Sequence, residues 1–347
     1  MGEAIRVLIV DDMQLIHKML KTMLETDPEI QVVGMAKNGK EGIELTEKLK
    51  PDVIIMDIHM PVMDGFEATR HLMQYLPTPI LIMSSSTIIT ERNATFEALK
   101  AGALDVMEKP DGRFSSNLKE IGAPIIQKLK RFSRVKVIRR IASIKQEPPI
   151  IKEFKPASTK NYRILAIGSS TGGPSALVDL LDGFPKDFAI PIAIVQHISS
   201  TFAESFAEWL GNNIPLSVKI VQDKEILTLG KVYIAGKPSH LSLDNNLQAH
   251  LLADTASSYH VPSVDILFSS LAQNIGDKSI GVILTGMGED GAKGLYEISQ
   301  KGGKTYAQDQ ESSLVYGMPK KAVDLGAASY SGNPKEIAKM ILQLMGY

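Results

Sequence analysis

Two sets of polar residues stand at the ends of apolar runs, where side chains from different parts of the chain could meet. The first is Asp11, Asp12, Asp57, Ser84 and Lys109, each closing or following a short hydrophobic segment. Three carboxylates gathered at one edge repel one another unless a hard cation neutralises them, and Mg²⁺ with oxygen ligands suits that task. Lys109 could hold a phosphoryl oxygen and Ser84 could donate to another, so a carboxylate in this setting could accept a phosphoryl group. The second set is Ser170, His197 and Asp290. Ser170 lies in Gly168-Ser169-Ser170-Thr171-Gly172, a G-x-S-x-G pattern that puts a serine on a sharp strand-to-helix turn. A serine hydroxyl needs a base, and the base needs an acid to orient it. His197 closes the apolar run Ile190–Val195, and Asp290 lies in the glycine-rich loop after Ser279–Leu284.

The elements that must carry these residues are legible as alternating patterns. Ile5–Val10, Ile30–Met35, Val53–Met56, Ile80–Met83 and Leu104–Met107 read as buried strands, with amphipathic helical stretches such as Leu15–Met23 and Phe66–Leu76 between them. Five such repeats imply a parallel sheet covered by helices on both faces, where function gathers beyond the carboxyl ends of the strands. After Tyr162 the pattern resumes. The strand Tyr162–Ile167 leads into the Ser170 turn, and a helix starting near Pro174 aims its backbone N–H groups at that turn. Thr171 and Met287 are the candidate backbone donors for an oxyanion. Of the seven histidines, His17 and His71 lie on amphipathic helices and read as packing or surface residues. His240, His250 and His260 are ten residues apart, a spacing that matches no metal site.

Composition bounds the rest. A chain of 347 residues with 44% hydrophobic and 22% charged residues is globular and long enough for two domains. A formal net charge of −1 argues against nucleic acid as a main partner. The absence of cysteine excludes disulfides and thiolate chemistry. No apolar run approaches the roughly 20 residues that span a bilayer, and no signal-peptide pattern is visible, so a soluble cytoplasmic protein without membrane insertion is expected. Charge is uneven. Residues 126–160 hold eleven Lys or Arg and two Glu, together with Pro148, Pro149 and Pro156, and read as the end of a helix followed by a basic, extended linker. The expected fold class is α/β: two doubly wound parallel-sheet domains, flavodoxin-like at 1–125 and Rossmann-like at 161–347, joined by the linker at 126–160.

The wording of the motifs carries a family resemblance. Val10-Asp11-Asp12, Met56-Asp57, Met60-Pro61-Val62-Met63-Asp64-Gly65, Ser84-Ser85 and Lys109-Pro110 resemble a response-regulator receiver domain. That likeness implies Asp57 as phosphoacceptor, Mg²⁺ held by Asp11, Asp12, Asp57 and the backbone carbonyl of His59, and Ser84 and Lys109 as switch and phosphate-binding residues. Val106 stands where many receivers carry an aromatic residue. In the second half, Ala166-Ile167-Gly168-Ser169-Ser170-Thr171-Gly172-Gly173-Pro174, Gln196-His197-Ile198, Phe202 to Leu210, Pro262-Ser263-Val264-Asp265-Ile266-Leu267-Phe268 and Thr285-Gly286-Met287-Gly288-Glu289-Asp290-Gly291-Ala292 resemble the catalytic domain of the chemotaxis protein-glutamate methylesterases. The resemblance implies a Ser170–His197–Asp290 triad that hydrolyses glutamyl γ-methyl esters on chemoreceptor helices, with glutamine deamidation as a related reaction. It also implies a chemotaxis histidine kinase as phosphodonor, and an unphosphorylated receiver that restrains the hydrolase. Ser169 stands where the family often has Ala, Trp209 where a charged residue is common, and Ser269 where Arg often follows the Phe.

Other readings of the second half stay open at this point. Gly286-x-Gly288-x-x-Gly291, with Asp309 further on, meets the formal dinucleotide fingerprint. Glu289 and Asp290 would put negative charge where a pyrophosphate should meet helix N–H groups, which argues against it. A pure interaction module would bind receptor without releasing methanol, and a metal hydrolase would lose activity to chelators.

Overall fold

The computed structural model describes residues 4–84, 96–110, 118–135, 137, 161–236, 238–254 and 260–347, with backbone alone for 118–120. Ser85 and the proline-containing part of the linker lie outside the described residues. The chain divides into two compact units, Met1–Gln146 and Glu147–Tyr347. Among the described residues no helix is long and apolar enough to cross a membrane.

The first unit runs β1 (Ile5–Val10), α1 (Gln14–Leu24), β2 (Ile30–Ala36), α2 (Gly39–Leu49), β3 (Val53–Asp57), α3 (Gly65–Tyr75), β4 (Ile80–Ser84), a helical segment at 96–101, β5 (Asp105–Glu108) and α4 (Leu118–Phe132). All pairings are parallel, in the order β2-β1-β3-β4-β5. Strands β3 and β4 are buried along their whole length, because parallel strands covered on both faces need near-continuous apolar runs. α1 packs with α4, and α2 with α3. Asn38 and Asp64 cap α2 and α3 by accepting the N–H groups of Glu41 and Glu67. The last helix continues to Phe132, and Ile125, Ile126, Leu129 and Phe132 are buried, so the apolar face of this unit runs on into the basic stretch.

The second unit runs β6 (Ile164–Ser169), α5 (Gly173–Leu181), β7 (Ile192–Gln196), α6 (Ser200–Asn213), β8 (Ser217–Ile220), β9 (Lys231–Ile234), β10 (His240–Leu243), β11 (Ala249–Leu252), α7 (Val264–Asn274), β12 (Ser279–Ile283), α8 (Ala292–Gln300), β13 (Lys304–Gln308), α9 (Met318–Asp324), β14 (Tyr330–Gly332) and α10 (Pro334–Met345). Seven strands form a parallel sheet in the order β14-β13-β12-β6-β7-β9-β8. From β6 the chain moves outward through β7, then returns to β12 on the other side. The loops after β6 and β12 therefore leave the sheet in different directions and open a crevice at the carboxyl edge. Strands β10 and β11 form a separate antiparallel pair that the alternating pattern did not announce.

Candidate active site

Ser169 and Gln196 are register partners at the ends of β6 and β7. Ser170 and His197 are thus the next residues on adjacent parallel strands, and the His197 N–H donates to the Ser169 carbonyl at 2.9 Å. On the other side of β6, the Ser170 N–H donates to the Thr285 carbonyl at 3.1 Å, which ties the serine turn to the loop that carries Asp290. His197 Nε2 donates to Asp290 Oδ2 at 2.8 Å. An ionised carboxylate only accepts, so Nε2 carries the proton and Nδ1 keeps its lone pair. That Nδ1 is buried and has no hydrogen-bond partner among the described residues.

Asp290 is the most heavily bonded group of the site. Its Oδ2 also accepts the Val264 N–H at 2.7 Å, and its Oδ1 accepts Ser263 Oγ at 2.8 Å and the Asp265 N–H at 3.0 Å. Burial pushes the carboxyl pKa up, but the bond and charge of His197 and the N–H groups of Asp265 and Val264 outweigh it, and the pKa falls to about 2. Asp290 precedes α8 in the chain, yet its carboxylate sits on the N-terminus of α7, a helix from an earlier part of the chain, where two N–H groups and the helix dipole hold the negative charge.

Ser170, His197 and Asp290 are therefore gathered at one edge, as their strand ends required. The Thr171 and Met287 N–H groups donate to no acceptor among the described residues. Four further residues belong to the site that spacing alone did not single out. His260 stacks on His197 with ring centres 4.2 Å apart and planes 12° from parallel. His240 Nδ1 accepts the Ser263 N–H at 3.1 Å, behind Asp290. Ser263 caps α7 while donating to Asp290, and the side chain of Gln196 bonds the carbonyls of both Ser170 and His197. A serine before an apolar run was a legible helix cap. The two histidines carried no such signal, because the antiparallel pair and the loops that bring them in are long-range structure.

In the first unit, Asp11, Asp12 and Asp57 each offer an oxygen within 4.8 Å of the others. Lys109 Nζ lies 2.8 Å from both Asp11 and Asp57. Burial raises the Asp57 pKa and outweighs the pull of Lys109, with Asp11 adding in the same direction. Burial alone would lower the Lys109 pKa, but its bonds to Asp11 and Asp57 raise it. A crowded all-oxygen set that holds a buried carboxylate above its ordinary pKa fits a hard divalent cation. Ser84 is buried at the end of β4, one residue beyond the Asp57–Met83 register pair, and the Lys109 N–H donates to its carbonyl. His59 is exposed, two residues after Asp57. Val106 is buried in β5.

Fold and sites together define the class: a receiver domain and an α/β hydrolase unit in one chain. The family model for the CheB methylesterase matches residues 165–341, and that for the response regulator receiver domain matches residues 7–115. The chain is 40% identical to "Protein-glutamate methylesterase/protein-glutamine glutaminase 2" of Methanospirillum hungatei JF-1, over 98% of each chain. It is 39% identical to "Protein-glutamate methylesterase/protein-glutamine glutaminase 1" of Syntrophus aciditrophicus SB, over 99% of each. The crystal structure of the Thermotoga maritima CheB methylesterase catalytic domain covers 53% of this chain and 98% of its own, at 37% identity and a TM-score of 0.50. The chain belongs to the CheB methylesterase family.

Proposed function

We propose that this protein hydrolyses γ-methyl esters of glutamate on chemoreceptor helices, under the control of phosphorylation at Asp57, and that Ser170, His197 and Asp290 carry the chemistry. The observation that supports this most directly is the His197–Asp290 bond at 2.8 Å, with an unpartnered Nδ1 on the residue beside Ser170. In this reading Nδ1 takes the Ser170 proton as Oγ attacks the ester carbonyl. The same proton passes to the departing methoxide, methanol leaves, and water enters to release the glutamate carboxylate. Asp290 fixes the Nε2–H tautomer and stabilises the imidazolium that forms. Thr171 and Met287 N–H groups meet the oxyanion, each worth about 3 kcal/mol. Glutamine deamidation follows the same course with ammonia as leaving group, consistent with the double names of the relatives.

In the receiver domain, read as 1–125 with a linker at 126–160 before a catalytic domain at 161–347, Asp57 accepts the phosphoryl group from a histidine kinase of the chemotaxis system. Asp11, Asp12 and Asp57, with the His59 carbonyl, would hold Mg²⁺, which when bound neutralises phosphoryl oxygens. Lys109 and Ser84 orient the same oxygens. The protein acts in the cytoplasm, where the receptor helices are. The test is methanol release from methyl-esterified receptor membranes, with and without a small-molecule phosphodonor. Ser170→Ala should reduce release to background while leaving phosphoryl uptake intact. Substantial turnover by that variant would sink the serine mechanism.

A further inference from the structure

The Gln196 side chain closes β7 directly before His197 and is 3% exposed. Its amide is fully used. Nε2 donates to the Ser170 carbonyl at 2.9 Å and to the His197 carbonyl at 3.2 Å, and Oε1 lies 2.6 Å from the Ser169 hydroxyl. The orientation is unambiguous, because the two carbonyls only accept and must face the NH₂ group, which leaves Oε1 to accept from Ser169. The neighbouring chain is shaped around it. A Cβ at Gly173 would lie 2.0 Å from Gln196 Oε1, so only glycine allows the amide to sit there.

This arrangement has a consequence one bond further on. A peptide unit is planar and trans, so its C=O and N–H point in opposite directions. The Ser170 carbonyl is held by two donors, Gln196 Nε2 and the Gly173 N–H at 2.8 Å. Pinning that oxygen aims the Thr171 N–H of the same peptide the other way. The Met287 N–H is aimed by the same device, since the Gly286 carbonyl accepts the Gly317 N–H at 3.1 Å and the Met318 N–H at 2.9 Å. The Ser170 N–H is already spent on Thr285, whereas the Thr171 and Met287 N–H groups, each on a peptide whose carbonyl is pinned, have no acceptor among the described residues.

We infer that Gln196 is a positioning residue for the oxyanion donor: its amide pins the Ser170 and His197 carbonyls and thereby aims the Thr171 N–H at the reacting carbonyl. The inference rests on the serine-hydrolase reading above. Of the four donors that pin the two peptides, Gln196 is the only side chain, so it is the one that substitution can remove. Gln196→Glu keeps the acceptor for Ser169 and removes the donors. Gln196→Met keeps the length and removes both.

The experiment is steady-state methanol release by the full chain, with phosphodonor, from methyl-esterified receptor membranes. Both variants should lose 10- to 100-fold in kcat with KM within about twofold of the parent, because a misaimed donor weakens the transition state and not ground-state binding. Labelling of Ser170 by a fluorophosphonate should slow by a comparable factor. A folded variant with unchanged kcat, or one that raises KM and keeps kcat, would overturn the inference. Should neither variant fold, the parent protein tests the premise that the Thr171 N–H meets the oxyanion. With ¹⁵N-threonine and ¹⁵N-methionine labels, a trifluoromethyl ketone adduct on Ser170 should shift the Thr171 and Met287 amide protons downfield. Unmoved resonances in a formed adduct overturn the inference. Ser170→Ala in parallel separates the two levels: turnover by that variant defeats the serine reading itself, whereas a dead Ser170→Ala beside a fully active Gln196→Glu defeats the role of Gln196 alone.

Discussion

Asp290→Asn exchanges a carboxylate that accepts four hydrogen bonds for an amide that can accept at only one of its two ends. If the NH₂ group turns to the Oδ2 side, it opposes the Val264 N–H at 2.7 Å and asks His197 Nε2 to accept. The imidazole proton then moves to Nδ1, and the base is lost. If it turns to the Oδ1 side, it opposes the Asp265 N–H at 3.0 Å, and the right tautomer survives beside a neutral partner. Either way one buried donor faces another, a cost of about 1–3 kcal/mol. The carboxyl pKa of about 2, against an ordinary 3.8, corresponds by linkage to about 2 kcal/mol of stability at neutral pH. These two figures overlap, since the same N–H groups depress the pKa, so the expected loss in urea unfolding of the second unit is roughly 2–4 kcal/mol. The sign follows from the depressed pKa. Asp290 contributes its full stability above about pH 4 and loses it as pH falls toward 2. Parent and variant should therefore converge in stability over that interval. For turnover, loss of the charge that supports the imidazolium should lower kcat by about 10²- to 10⁴-fold. A variant that keeps kcat within about threefold of the parent would refute the role given to Asp290, whatever its stability.

The remaining predictions concern the receiver unit and the effect of its phosphorylation on turnover. Phosphoryl incorporation from acetyl phosphate should require a hard divalent cation and vanish in Asp57→Asn; incorporation that survives EDTA or the substitution would contradict the acidic site. Because the Asp57 pKa is raised, ionising it costs stability, and that cost grows as pH rises through the folded-state value. Without cation, Asp57→Asn should therefore shift urea unfolding of the first unit to higher concentration at neutral pH, and the gain should disappear below the ordinary carboxylate range. A fragment from Tyr162 to Tyr347 should release methanol faster than the unphosphorylated full chain and ignore phosphodonor, whereas the full chain should respond by 5- to 150-fold if the coupling is about 1–3 kcal/mol. A folded fragment slower than the full chain would mean that the receiver does not act by restraint.

What the sequence determined was local and periodic. Apolar runs of strand length alternating with amphipathic helices required parallel sheets, and parallel sheets send whatever follows their strands to one edge. Asp57 at the end of β3 and Ser170 one residue beyond β6 were legible for that reason, and the glycines beside Ser170 marked a turn with no room for side chains. Tertiary structure alone decided which helix would receive the Asp290 charge, since the choice of α7 over α8 depends on how two remote helices pack. It also decided that His260 stacks on His197 and that His240 backs Ser263, through an antiparallel pair with no period to announce it. Gln196 shows the division most clearly. Its place at the end of β7 follows from strand register, but its work lies in the hydrogen bonds to Ser169 and Ser170, which meet it only when β6 and β7 pair, because a side-chain amide has no preferred partner until the fold supplies one.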